Sequence, residues 1–167
     1  MSKTIFTENL PKKQLHIVRD FDASPSLVWK TWTEPTYLNQ WWAPKPWKAE
    51  TKTMEFREGG YWLYCMNGPE GEQHWARADY EEIRELKSFK GLDSFCDENG
   101  KLSNDLPGMH WYVQFHPNGP STKVEVIVTF TSENDLKTIV EMGFKEGFSA
   151  AHDNLDELLV ELVSKSV

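Results

Sequence analysis

SENDLKTIVEMGFKEGFSAAHDNLDELLVEL, residues 132–162, carries apolar side chains at Leu136, Ile139, Val140, Phe144, Phe148, Ala151, Leu155, Leu158, Leu159 and Leu162. Residues three and four apart share one face of a helix, so this run predicts an amphipathic helix with a continuous apolar stripe. Ser132 followed by Asp135 resembles a capping box, in which the serine hydroxyl accepts from a first-turn N–H that no helical carbonyl reaches. Glu146, Asp153, Asp156, Glu157 and Glu161 fall largely on the opposite, solvent side. Gly143 and Gly147 interrupt the run, and each costs roughly 1 kcal/mol against Ala in a helix interior. A kink near Gly143 is expected, and the glycines serve either clearance for a ligand beneath the helix or close packing on a sheet.

Upstream of this helix the period changes to two. Val124, Val126, Val128 and Phe130 alternate with Lys123, Glu125, Ile127 and Thr129, the mark of a strand with one buried face. Between Trp47 and Phe130, strand-length segments are cut by Gly59-Gly60, Asn67-Gly68-Pro69, Asn99-Gly100, Pro107-Gly108 and Pro117-Asn118-Gly119-Pro120, which punctuate an antiparallel meander. Nearer the start, Leu15, Ile17, Arg19 and Phe21 alternate with His16, Val18, Asp20 and Asp22 and predict the first strand. Ser24-Pro25 and Thr33-Glu34-Pro35 then open two short helices, because a serine caps well and proline's missing N–H is one that a first helical turn does not use. Val28, Trp29 and Trp32 share a face of the first, and Leu38, Trp41 and Trp42 supply the apolar positions of the second.

Residues 1–14 read as a polar N-terminal tail and 15–167 as a single domain. These elements bury all their apolar faces if a curved antiparallel sheet of six or seven strands wraps around the long C-terminal helix, an α+β helix-grip arrangement with two short helices after the first strand. A sheet so curved leaves a cavity beneath the helix.

At 167 residues one core suffices, and 8 Trp, 9 Phe and 5 Tyr concentrate its packing in a few large rings. The formal net charge of −8 repels a phosphate backbone and an anionic leaflet, and no Lys/Arg run segregates a basic patch, Lys12-Lys13 being the closest approach to one. Nucleic-acid binding is therefore not expected. Cys65 and Cys96 form no CxxC and are too few for a disulfide framework, so two reduced thiols are expected. The absence of a cationic-then-apolar leader and of any bilayer-length apolar run points to the cytoplasm and to no membrane insertion.

Phe21-Asp22-Ala23-Ser24-Pro25, then Val28-Trp29, Trp32-Thr33, Pro35, Leu38, Trp41-Trp42 and Pro44, resembles the opening signature of the SRPBCC (START-like) superfamily. More narrowly, it resembles the family named after the activator of the ninety-kilodalton heat-shock chaperone's ATPase. The likeness continues through Phe56-Arg57-Glu58-Gly59-Gly60, Tyr80-Glu81-Glu82-Ile83 and Met142-Gly143-Phe144-Lys145-Glu146-Gly147 to Leu155 and Leu158, and so spans about Leu15 to Leu162. It implies the helix-grip fold already reached from patterning. It does not by itself imply one function, because the superfamily's fold hosts lipid carriers, hormone and polyketide binders, cyclases and co-chaperone modules.

The residues expected to line a cavity are Trp42, Trp62, Tyr64, His74, Trp111, Tyr112, Phe144 and Phe148, a mixture of apolar rings and rings with a polar handle that suits planar or amphipathic molecules. Trp42, beside Pro44, is expected at the pocket mouth. Taken singly, each ring is as well explained by core packing, which is the reading given to Trp29, Trp32 and Trp41. His16, His74, His110, His116 and His152 show no metal-ligand spacing, so neither metal nor cofactor is expected. Gly147-Phe148-Ser149-Ala150-Ala151 has the look of a nucleophile elbow but lies inside a helical pattern, where that strained strand-to-helix turn cannot form. Glu141 and Lys145, at i, i+4, are expected to form a surface ion pair.

Three functions follow as expectations: non-enzymatic binding of an unidentified small hydrophobic or aromatic molecule; a co-chaperone-like module acting on a chaperone ATPase, implied by the resemblance; and a cyclase or hydrolase using His74, Tyr64 or Tyr112. No catalytic constellation is legible, which favours the first. Oligomeric state leaves no mark in the sequence.

Overall fold

A computed structural model of the chain describes residues 3–104 and 106–165. Its elements are β1 (Ile5–Asn9), β2 (Gln14–Phe21), α1 (Pro25–Thr33), α2 (Pro35–Trp41), β3 (Lys48–Met54), β4 (Tyr61–Asn67), β5 (Gln73–Arg84), β6 (Ser88–Cys96), β7 (Met109–Asn118), β8 (Ser121–Thr129), α3 (Glu133–Glu141) and α4 (Phe144–Lys165). The strands form one antiparallel sheet of eight in the order β1-β2-β8-β7-β6-β5-β4-β3. The helix-grip arrangement is thus present, with more strands than the six or seven expected.

The extra strand lies in the segment read as a polar tail. Ile5–Asn9 pairs with β2 from Ile5↔Val18 to Asn9↔Gln14, so the expected first strand is the second. Lys13, at φ 57°, turns the chain between them. Elsewhere alternation predicts burial well: Leu15, Ile17, Arg19 and Phe21 of β2 and Val124, Val126 and Val128 of β8 all face the core. Ser24 caps α1 by accepting from the Leu27 N–H, and Ser132 caps α3 by accepting from the Asp135 N–H.

The expected single C-terminal helix is two helices. α3 ends at Glu141, and Gly143 adopts φ +95°, in the left-handed region where any side chain is strained, before α4 begins at Phe144. The break also separates Glu141 from Lys145. Lys145 reaches the edge strand instead, donating from Nζ to Glu8 Oε2 at 2.5 Å, so the expected i, i+4 pair gives way to a tie between α4 and β1.

α4 lies on the concave face and is held there by polar groups as well as by its apolar stripe. Asn154, buried, donates from Nδ2 to the carbonyl oxygen of Ala43 at 2.9 Å and so fixes the chain leaving α2. Arg19, only 2% exposed, projects from β2 under α4, where its guanidinium meets Asp153 at 2.9 Å and Asp156, and donates from Nη1 to Thr4 Oγ1. Asp156 is therefore turned inward, while Asp153 reaches Arg19 from a largely exposed position. Burial pushes the Asp156 carboxyl up, against the opposing pull of Arg19. His152, 1% exposed, sits among Phe21, Trp32, Trp41 and Phe148, and its Nδ1 lies 2.9 Å from Thr4 Oγ1. Burial, with Arg19 adding to it, pulls its pKa down to about 3, so this imidazole is neutral in the fold.

Removing one partner of a buried ion pair strands the other charge, at a cost of about 3–5 kcal/mol. Asp156→Ala leaves Arg19 with the more exposed Asp153, so the expected loss is about 2–3 kcal/mol by urea unfolding, and Arg19→Met with Asp156→Leu should recover most of it. A double variant as unstable as Asp156→Ala alone would show that the charge was not the cause. His152 contributes stability that is complete above the unfolded pKa of about 6.5 and is lost as pH falls toward about 3. Between about pH 6.5 and 5 the wild type should therefore lose about 2 kcal/mol relative to His152→Leu, measured as the change in their stability difference.

Candidate functional site

Beneath α4 the sheet and helices enclose a cavity of about 260 Å³, bordered by Trp42, Tyr64, His74, Trp111, Phe144 and Phe148 among others. A second, smaller void of about 40 Å³ lies deeper, against Trp32, Trp62, Tyr80 and Phe89. Trp42, Asp93 and Trp111 border both. Six of the eight rings expected in a pocket therefore line the main cavity, and one more lines the deeper void.

Trp42 owes its place to the end of α2, where the chain turns at Trp42 toward Pro44. Its indole packs edge-on against Trp62 at 5.3 Å and Phe148 at 5.9 Å, and tilted against Trp111 at 5.9 Å. It is a partition between two spaces, not the mouth of one. Trp62 and Tyr64, two residues apart on β4 and so on one face, stack at 4.0 Å. Trp62 Nε1 donates to Thr51 Oγ1 at 3.0 Å, which orients that ring toward the deeper void. From α4, Phe144 and Phe148 stack at 5.5 Å, and Phe148 meets Trp111 edge-on at 5.4 Å.

Tyr112 does not join them. Trp111 and Val113 are buried on the concave face, so the residue between them points away from it, and the Lys90 Nζ stands 4.7 Å from the Tyr112 ring centroid. Adjacent strand residues cannot both face inward. His74 is exposed at the rim, its ring 5.1 Å from that of Trp47. Gly147 also borders the cavity, and a Cβ built there meets only Pro44 Cγ, at 3.9 Å.

The group that sequence reasoning misses is Asp93. Phe89, Gly91, Asp93 and Phe95 share one parity on β6, so a carboxyl stands among rings on the concave face, a signal legible in the alternation. Its Oδ1 is buried without a hydrogen-bond partner among the described residues, and the residue, half-buried as a whole, borders both cavities. Burial, with the Asp79 carboxylate adding to it, pushes its pKa up to about 7. The Trp111 Nε1 is likewise buried and unpartnered. Burial also holds the Tyr64 hydroxyl well above its ordinary value.

The remaining titratable residues are placed elsewhere. His16 and His116 approach the two oxygens of Glu125 at 2.6 and 3.0 Å, and His110 approaches Glu81 at 2.7 Å, all outside the cavity. Among the described residues no group of three or more His, Cys, Asp or Glu side chains is arranged to hold a metal ion. Cys65 and Cys96 are free thiols, and burial pushes Cys96 up to about 11, far from a reactive thiolate. Among the described residues no helix is long and apolar enough to cross a membrane.

Comparison with known proteins agrees with this geometry. A solution structure of a protein from Arthrobacter aurescens is 32% identical, superposes with a TM-score of 0.88, and the match covers 94% of this chain and 91% of that one. A crystal structure of a protein from Mycobacterium smegmatis is 29% identical with a TM-score of 0.87, covering 94% and 96%. One from Nitrosomonas europaea is 25% identical with a TM-score of 0.80, covering 92% and 97%. A comparison with curated proteins gives no match. The family model described as activator of Hsp90 ATPase homolog 1-like protein matches residues 22–160, nearly the whole helix-grip unit, and the chain belongs to that family.

Proposed function

We propose that this protein binds a small apolar or aromatic molecule, without transforming it, in the space between the sheet and α4. The observation that carries the proposal is the ring-walled cavity of about 260 Å³ in a chain rich enough in aromatics to have filled it. Protein interiors ordinarily close-pack, and an unfilled apolar space costs stability in proportion to its volume. A two-ring ligand burying about 250 Å² of apolar surface there would gain roughly 6 kcal/mol before the costs of association.

Two features support binding over catalysis. His74 and Asp93 are the cavity's candidates for an acid–base pair, yet Asp93 is registered opposite Ala78, and Ala78 lies four residues along β5 from His74. At about 3.3 Å per residue that separation is roughly 13 Å, beyond hydrogen-bond reach. Ser94, the neighbour of Asp93 on β6, also borders the cavity, but adjacent strand residues project to opposite faces, so its hydroxyl is not aimed with the Asp93 carboxyl. The large exposed apolar side chains, such as Ile5, Leu86, Leu102, Met142 and Val160, are scattered over several elements, so no broad patch favours the chaperone-docking reading.

A thermal-shift screen of flavonoids, fatty acids, aromatic amines and polyketide-like compounds tests the proposal. A ligand at about 100 times its Kd should add about 2.7 kcal/mol of stability and raise the melting temperature by about 5–10 °C. Gly147→Leu, which projects a side chain into the cavity from α4, should abolish that shift without lowering the unliganded melting temperature, since leucine is the better helix former. A library in which nothing shifts the wild type would sink the carrier role.

A further inference from the structure

Resting on that reading, we infer that the ligand is a cationic amine: a one- or two-ring body whose ammonium group pairs with Asp93 inside the ring-lined cavity. Four observations converge on this class. The Asp93 Oδ1 is buried, borders the cavity and has no hydrogen-bond partner among the described residues, and a buried acceptor left unpaired is costly enough to want an explanation. No lysine or arginine lines the cavity, so the protein itself supplies no counter-ion. Trp42, Tyr64, Trp111, Phe144 and Phe148 present ring faces and edges around the same space, and π-faces attract cations most strongly where water is excluded. Finally, the net charge of −8 draws cations and repels carboxylates at long range.

The charged and titratable groups that bear on Asp93 do not replace such a partner. Tyr64 on β4, Tyr80 and Asp79 on β5 and Cys96 on β6 couple to it electrostatically, all of them neutral or acidic. The guanidinium of Arg77, on β5, is already engaged with both oxygens of Asp79, at 2.6 and 3.0 Å. The α3 and α4 residues that wall the cavity, Ile139, Met142, Phe144 and Phe148 among them, carry no titratable group. His74, at the rim, is the one basic side chain on the lining. With its pKa at about 7, Asp93 rests on the edge between a neutral acid that tolerates the empty cavity and a carboxylate that an ammonium would fix.

The test compares three probes of one shape, 2-(1-naphthyl)ethylamine, 2-(1-naphthyl)ethanol and 1-naphthylacetate, titrated into the full-length protein by calorimetry at about pH 8 and about pH 6. The amine should bind at least about tenfold tighter than the alcohol at the higher pH, and the acetate weakest of all. An alkylamine stays protonated throughout this range, so the amine's affinity should fall about tenfold at the lower pH as Asp93 takes up a proton, while the alcohol's stays level. Asp93→Asn should bring the amine-to-alcohol affinity ratio close to one at both pH values, so that both the preference and the pH dependence disappear. The wild-type pH series stands on its own if that variant folds poorly. Equal binding of amine and alcohol, or tighter binding of the acetate, overturns the inference and leaves the carrier role standing. Binding by none of the three also overturns it, and the carrier role is then decided by the library screen alone.

Discussion

A guanidinium buried beneath a helix is the constraint from which the upper half of this molecule follows. Arg19 occupies a core-facing position of β2, where an aliphatic side chain would ordinarily sit, and its charge must be met within the fold. The carboxyls that meet it, on Asp153 and Asp156, are one turn apart on α4, so they set both the rotation of that helix and its position along the sheet. Thr4, bonded to Arg19 and close to His152, draws the beginning of the chain into the same knot. With α4 pinned near its middle, its first turns carry Phe144 and Phe148 out over the strands, and the cavity is what lies between.

The rings then divide the labour of filling space. Trp29, Phe56, Phe89 and Phe115 interlock edge to face at one end of the concave surface, where Phe89 borders the smaller void of about 40 Å³. Around Trp42 the rings meet at similar angles but border both cavities, with Trp42 and Trp111 standing between them. The larger space lies beside Trp42 under the first turns of α4, and only the smaller one reaches the Phe89 end.

Much of this architecture is legible in the amino-acid sequence. The parities of β2 and β8, the serine caps of α1 and α3 and the proline starts of both short helices each follow from one local rule, and the glycine at 143 marks an irregularity there, though the helix breaks in two at that point where only a kink is expected. What escapes does so for definable reasons. Ile5–Asn9 is an edge strand, paired on one side only and mostly exposed, and so shows little apolar alternation. The reversal between β5 and β6 uses Glu85, Leu86 and Lys87, with Leu86 at φ 66°, and contains neither glycine nor proline to announce it. Composition alone makes Tyr112 as good a pocket ring as Trp111, but strand parity permits only one of the two to face inward. Asp93 escapes because a carboxyl in a strand reads as surface until its neighbours on β4 and β5 enclose it, and that enclosure is tertiary.

Asp93 and His152 also have a joint consequence for how the protein experiences acid. One holds its proton far above the ordinary carboxylate range, at about 7, and the other refuses one until about pH 3. Through mildly acidic conditions the first linkage strengthens the fold by nearly as much per pH unit as the second weakens it. These two contributions oppose each other while a negative charge comes and goes in the interior. An acidified compartment would alter what this protein accepts long before it altered whether the protein stays folded.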